Sequence, residues 1–219
     1  LHKAIRRQRQ MCIRDRCIYR RLCTRRRGMQ DKMINKYIAK NHSGSVFTDN
    51  ELQVIKDGNI DDMVTTFLDM NTEYYNKQMQ SVLKVFTQFM STEIELERII
   101  YQKEFDGKFV GCQIMDGDID VFLGIAGEDA DLLCVASTFS QEDMNKFDAD
   151  AYDAICELIN IINGAYATKL SYEEIEVSLH PPVFYQDTQI KADNGMYVVT
   201  FNMKGHRFCL LYTSDAADE

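Results

Sequence analysis

The sequence predicts an α+β domain, an antiparallel β-sheet with long helices packed on one face. Three observations predict it. Apolar residues recur at helical spacing over 72–91, at alternate positions through 109–126, and at helical spacing again from Ile155 to Tyr166. Helix, strands, helix, strands is the order expected when helices gather on one side of an antiparallel sheet. The chain has 219 residues, 45 % of them hydrophobic and 11 % aromatic, which suits one domain with a substantial core.

Charge and composition narrow the function classes. No apolar run reaches the roughly 18 residues of a membrane span, and the first residues hold no apolar secretory segment. Residues 1–28 carry 11 of the 25 Lys and Arg and one of the 34 acids, so the remainder holds 14 bases against 33 acids, a balance of −19. A basic arm alone suggests nucleic acid or a membrane surface, but so acidic a body opposes nucleic-acid binding. The two ends suggest a duller origin. Back-translation of 11–16 and of the start of 209–219 gives nearly reverse-complementary strings that resemble a translated sequencing adapter. Residues 1–28 are accordingly expected to be a non-native leader and 209–219 an adapter-derived tail, and neither enters the functional reasoning. Four of the seven cysteines (Cys12, Cys17, Cys23 and Cys209) fall in those ends, at spacings that match no zinc template. Cys112, Cys134 and Cys156 are scattered in apolar runs, as in a reducing, cytoplasmic protein that uses cysteine as a small hydrophobe.

In chain order, 29–71 is expected to be a linker or the tail of an upstream module, polar over 29–45 with short helices beyond. Thr48-x-x-Glu51 is a capping box, Phe47 and Leu52 are placed as a hydrophobic staple, and Gly58 stops the helix. Asn59-x-x-Asp62 caps a second short helix through about Met70. The principal domain then runs over 72–208. Tyr75, Met79, Val82, Leu83, Phe86, Phe89 and Met90 form the stripe of its first long helix, a core stripe rather than a cofactor site. Strands follow at 109–115, with Val110, Cys112 and Ile114 on one side, at 118–126, and at 132–140, joined by short turns as in a meander. Asp116, Asp118 and Asp120 lack the glycine and final glutamate of a calcium loop and read as a solvated turn. A second long helix follows, then a strand at 174–179 ended by Pro181 and Pro182. Strands at 183–186 and 196–203 close the domain around an Asp193-Asn-Gly195 hairpin turn. His180, alone at a strand end, reads as structural.

The second long helix carries the chemistry. Ile155, Leu158, Ile159, Ile162, Ala165 and Tyr166 share an apolar side, while Asp153, Glu157, Asn160 and Gly164 share a polar stripe at spacings of four, three and four. The bland reading is a solvated face with Asp153 near the helix N-terminus, where its charge suits the dipole. Gly164 argues for more. It costs the helix about 1 kcal/mol against alanine, and its lack of bulk lets another surface approach.

Asp153-x-x-x-Glu157-x-x-Asn160 followed by Pro181-Pro182 resembles the signature of the CheC/CheX/FliY chemotaxis phosphatases. Phe122-Leu-Gly-Ile-Ala-Gly127 and Ser140-Gln-Glu-Asp extend the resemblance over roughly 72–208. It implies a cytoplasmic phosphatase in two-component signalling that removes the phosphoryl group from the aspartyl phosphate of the response regulator CheY. Matched residue by residue, Glu157 would engage the regulator's active-site lysine, Asn160 would orient the attacking water, Asp153 would hold the docking face, and Pro181 would fix the adjoining loop. Gly164 falls on the same docking stripe. The chain would need no metal or cofactor of its own, because the Mg²⁺ belongs to the partner. The form it implies is the CheX-like one, whose members pair as homodimers. Two departures are expected: a clipped segment between Ser140 and Asp148, and a sheet cut short near Phe208, where the foreign 210–213 would serve as an edge strand. The alternative is a non-catalytic regulator-binding or flagellar-switch scaffold of the same fold; the presence of both Glu157 and Asn160 favours the phosphatase.

Overall fold

The computed structural model describes residues 27–41, 47–68, 70, 72–90 and 93–214. Residues 1–26 of the expected leader at 1–28, most of the expected loop at 41–45, and 215–219 lie outside the described residues.

Residues 29–71 supply three helices. α1 (Arg27–Asn41) buries Met33, Ile34 and Ile38 and packs against β1 (Ile94–Gly117); this stripe is too narrow to stand out of a polar background. α2 (Asp49–Asp57) begins at the capping box: Glu51 N donates to Thr48 Oγ1 at 3.3 Å, and Thr48 N donates to Glu51 Oε2 at 2.7 Å. It ends at Gly58, whose φ of 62° is the left-handed cap that glycine adopts freely. Phe47 packs edge-on against Phe67, and Leu52, its expected staple partner, is 39 % exposed. α3 (Ile60–Phe67) starts at Asn59, whose Oδ1 accepts from Asp61 N at 2.9 Å. Ile60, Met63, Val64 and Phe67 of α3 belong to the same core as the principal domain.

α4 (Glu73–Phe89) is capped by Thr72 and lays Tyr75, Met79, Val82, Leu83 and Phe86 on the sheet. Phe86 meets Phe201 and Phe208 edge-on, with ring centroids 5.3 and 5.9 Å apart. With β1, the strands β2 (Val121–Gly127), β3 (Val177–Leu179), β4 (Val183–Met203) and β5 (His206–Ser214) make one antiparallel sheet. Its order is β2-β5-β4-β1-β3, with a further pairing of β2 to β1. β1 begins well before the expected 109, and through Phe109–Cys112 it pairs with β2 on one side and β4 on the other.

Several expectations are corrected. Residues 132–140 are not a strand but most of α5 (Asp129–Ser140). Leu132, Val135 and Ala136 are buried at helical spacing, Asp129 and Asp131 suit the first turn, and the short apolar run fits either period. The strands at 183–186 and 196–203 are one strand. Asp193-Asn-Gly195 is not a hairpin turn but part of a bulge: Gln102 faces Met196 and Glu104 faces Lys191, so 192–195 stand against Lys103 alone. Gly195 has φ 89°, and a Cβ there would lie 2.6 Å from the Tyr101 ring. The β4–β5 hairpin turns instead at Lys204 and Gly205, both at positive φ (56° and 89°). Residues 210–213 are no edge strand. They lie in β5, between β4 and β2, with Leu210, Leu211 and Tyr212 fully buried.

The two faces of the sheet differ. Leu123, Ile125, Tyr197, Val199, Phe201, Phe208, Leu210 and Tyr212 face the helices. Val110, Cys112, Ala126, Met196, Val198 and Leu211 form a second cluster made of strand residues alone. Near residue 111, β1 therefore turns Gly111 and Gln113 toward α6 (Ala149–Ser171).

Candidate functional site

α6 starts at Asp148, whose side chain accepts from Asp150 N at 3.3 Å, and buries Ile155, Leu158, Ile159, Ile162 and Tyr166. The helix sits close on β1: a Cβ at Gly111 would lie 2.8 Å from Ile155 Cγ2 and 3.3 Å from Ile159 Cδ1. With that face fixed on the sheet, 3.6-residue periodicity turns Asp153, Glu157, Asn160 and Gly164 outward as one ridge. Asp153 and Glu157 are exposed, and among the described residues neither side chain is hydrogen-bonded or ion-paired. Gly164 is half-buried with open space where a Cβ would stand, so the fold itself does not demand glycine there.

Asn160 is the ridge residue tied to the interior. Gln113, 1 % exposed on β1, donates from Nε2 to Asn160 Oδ1 at 3.0 Å and to the carbonyl oxygen of His180 at 2.7 Å. Gln113 Oε1 accepts from Asn163 Nδ2 at 2.9 Å, and Asn163 is fully buried. His180 N donates to the carbonyl of Ile114, and its ring nitrogen lies 2.8 Å from Asp116 Oδ2 on the same strand. The exposed Pro181 follows directly. Of the residues singled out in the sequence, the structure thus brings Asn160 and the loop before Pro181 together through Gln113. Asp153, Glu157 and Gly164 share only the ridge. Gln113 and Asn163 were missed, because single amides inside apolar runs carry no spacing signal.

The thiols nearby are held protonated. Burial pushes the Cys112 thiol up to about 11, with the neighbouring Cys156 adding to it. Burial, then the charge of Asp153, pushes the Cys156 thiol up as well. Neither is a poised nucleophile. Among the described residues no cluster of three or more His, Cys, Asp or Glu could hold a metal ion, and no helix is long and apolar enough to cross a membrane. The ridge can present one carboxylate and one oriented carboxamide to another molecule.

Known proteins resemble this chain in sequence pattern and in fold. Residues 109–203 match the family described as chemotaxis phosphatase CheX. No curated protein matches the chain in sequence. Among solved structures, a CheC-like superfamily protein from Shewanella sp. PV-4 superposes with TM-score 0.59 at 20 % identity, over 67 % of this chain and 100 % of that one. The chemotaxis protein CheX from Desulfovibrio desulfuricans gives TM-score 0.57 at 13 % identity, over 66 % and 100 %. A chain of the CheX–CheY–BeF3–Mg²⁺ complex from Borrelia burgdorferi gives 0.50 at 17 %, over 65 % and 97 %. By its pattern over residues 109–203 and by its fold, the chain resembles the CheC/CheX/FliY chemotaxis phosphatase family, and within it the CheX-like form.

Proposed function

We propose that this protein dephosphorylates the aspartyl phosphate of a CheY-type response regulator in chemotaxis signalling. The observation that carries the reading is the exposed ridge of α6, on which Asn160 is half-buried, hydrogen-bonded from behind by Gln113 and open in front. An aspartyl phosphate is already labile, and phosphoryl transfer asks for positioning more than covalent help. Asn160 keeps its NH₂ group and one Oδ1 lone pair for a water in line with the phosphorus, so it can both donate and accept. Glu157, one turn earlier and unpaired within the described residues, supplies a carboxylate for the regulator's lysine. Asp153, Gly164 and Pro181 shape the docking face around the pair. The Mg²⁺ at the phosphoryl group sits on the regulator, and this chain contributes no ligand to it. The CheY partner in the Borrelia burgdorferi complex supports the choice of substrate. A cytoplasmic homodimer is the working form that this reading expects.

The test is the decay of a phosphorylated CheY-type regulator with and without the protein, followed together with direct binding. Faster decay upholds the reading. Binding of the phosphorylated regulator without faster decay leaves a regulator-binding module instead.

A further inference from the structure

We propose that Gln113 of β1 is a positioning residue: it fixes the carboxamide of Asn160 in one of its two flipped orientations, with NH₂ toward the docking face. The inference rests on the proposed role of Asn160 for its consequence on rate, but the contact itself does not.

The geometry decides the orientation. The carbonyl of His180 is an acceptor only, so the Gln113 nitrogen must face it, at 2.7 Å. The second hydrogen on that nitrogen then points at Asn160, 3.0 Å away, which must answer with its oxygen. Turning the Asn160 amide over would set two donors against each other in a site where Gln113 is 1 % exposed and water offers little relief. Asn163 fixes the far end by donating to Gln113 Oε1 at 2.9 Å. Every polar atom of the Gln113 amide is thereby used, and the side chain cannot rotate without breaking three contacts.

Asn163 Oδ1 is buried with no partner among the described residues, and an unsatisfied buried acceptor is a cost that an apolar side chain of similar size avoids. The same nitrogen also holds the backbone just before Pro181, so ridge and loop are set relative to each other by one buried amide. A water-orienting group gains from this, because a misplacement of about 1 Å costs up to roughly a hundredfold in rate.

The experiment has two arms. In the free protein, the side-chain NH₂ signals of Gln113, identified by their loss in Gln113→Met, are expected to be protected from exchange with water and displaced in Asn160→Ala. Exchange at the rate of an exposed amide, or indifference to Asn160→Ala, overturns the contact even if no phosphoryl transfer is seen with any regulator. In the second arm, decay of the phosphorylated regulator is followed against protein concentration. Gln113→Met is expected to lower the saturating rate about ten- to a hundredfold with little change in half-saturation, and to add nothing in an Asn160→Ala background. Gln113→Glu keeps the size but offers only acceptors as a carboxylate, and the same loss is expected if Gln113→Met folds poorly. Variants with the parent's saturating rate, or losses that multiply that of Asn160→Ala, overturn the positioning role.

Discussion

Asn160 and Gly164 lie on one ridge yet answer to different constraints. Asn160 is held by the chain's own interior, whereas nothing in the chain stands within 4 Å of a Cβ placed on Gly164. Gly164→Ala should therefore stabilise the helix, by up to about 1 kcal/mol, visible as a raised Tm. If the open space serves a partner, the same variant weakens binding of the regulator. A titration should also be visible at Cys112, whose thiol is raised from 9.0 to about 11. Below pH 9 the folded and unfolded chains both keep the proton. Between 9 and about 11 only the unfolded chain loses it, so stability falls as pH rises through that window. Cys112→Ala should flatten the fall in urea-unfolding free energy across it. At this scale the sequence was legible where a spacing existed, as for Asp153, Glu157 and Asn160. Gln113 stands between Cys112 and Ile114, whose alternation marks the other face of the strand, and nothing in one side chain's identity announces which neighbour it will reach across a sheet.

At the scale of elements, strong periods were readable and weak ones were not. α4 and α6 run through several turns of consistent spacing, which a strand cannot imitate. The apolar run of α5 is short, and its β-branched and aromatic residues suit a strand as well as a helix until tertiary packing decides. The Asn194-Gly195 signal was real, since Gly195 does adopt positive φ, but positive φ serves a bulge as readily as a hairpin. The α6–β1 contact is the element-level feature on which the site depends. Gly111→Ala would drive a Cβ to 2.8 Å from a methyl of Ile155 and 3.1 Å from the Phe184 ring, forcing the helix off the strand. A loss of about 1–3 kcal/mol in unfolding free energy is expected. A loss of phosphatase activity larger than that destabilisation accounts for should accompany it, because Gln113 and Asn160 lie on the two parts being separated. Preserved stability and activity would mean that the close seat of α6 on β1 is unimportant.

Over the whole molecule, the principal domain and the helices before it share one core. Met33, Ile34 and Ile38 of α1 and Met63, Val64 and Phe67 of α3 join the cluster that also holds α4, α6 and the inner face of the sheet. Polar linkages reinforce the seam: Asp61 of α3 lies 2.5 Å from Lys84 and 3.5 Å from Lys169 on α6. The sequence did not reveal this because each of these helices buries only a few residues, and a stripe that short is indistinguishable from a linker. β5 was misjudged for a different reason. A strand shielded on both edges is recognised by its pairing partners, and those lie far away in the chain. Leu210, fully buried opposite Val199 and Ile125, now gives a direct check. Leu210→Asp should cost on the order of 3–5 kcal/mol in urea unfolding, as for an unpaired buried charge. A loss below about 1 kcal/mol would remove β5 from the middle of the sheet.

Asn160, aimed outward from α6, is proposed to accelerate loss of an aspartyl phosphate. The measurement that tests this most directly is the rate of phosphoryl loss from a CheY-type regulator saturated with the parent protein or with Asn160→Ala. Clear acceleration by the parent is expected, and a fall on the order of a hundredfold toward the regulator's own rate in the variant, with binding retained. Equal rates for the two proteins would contradict it.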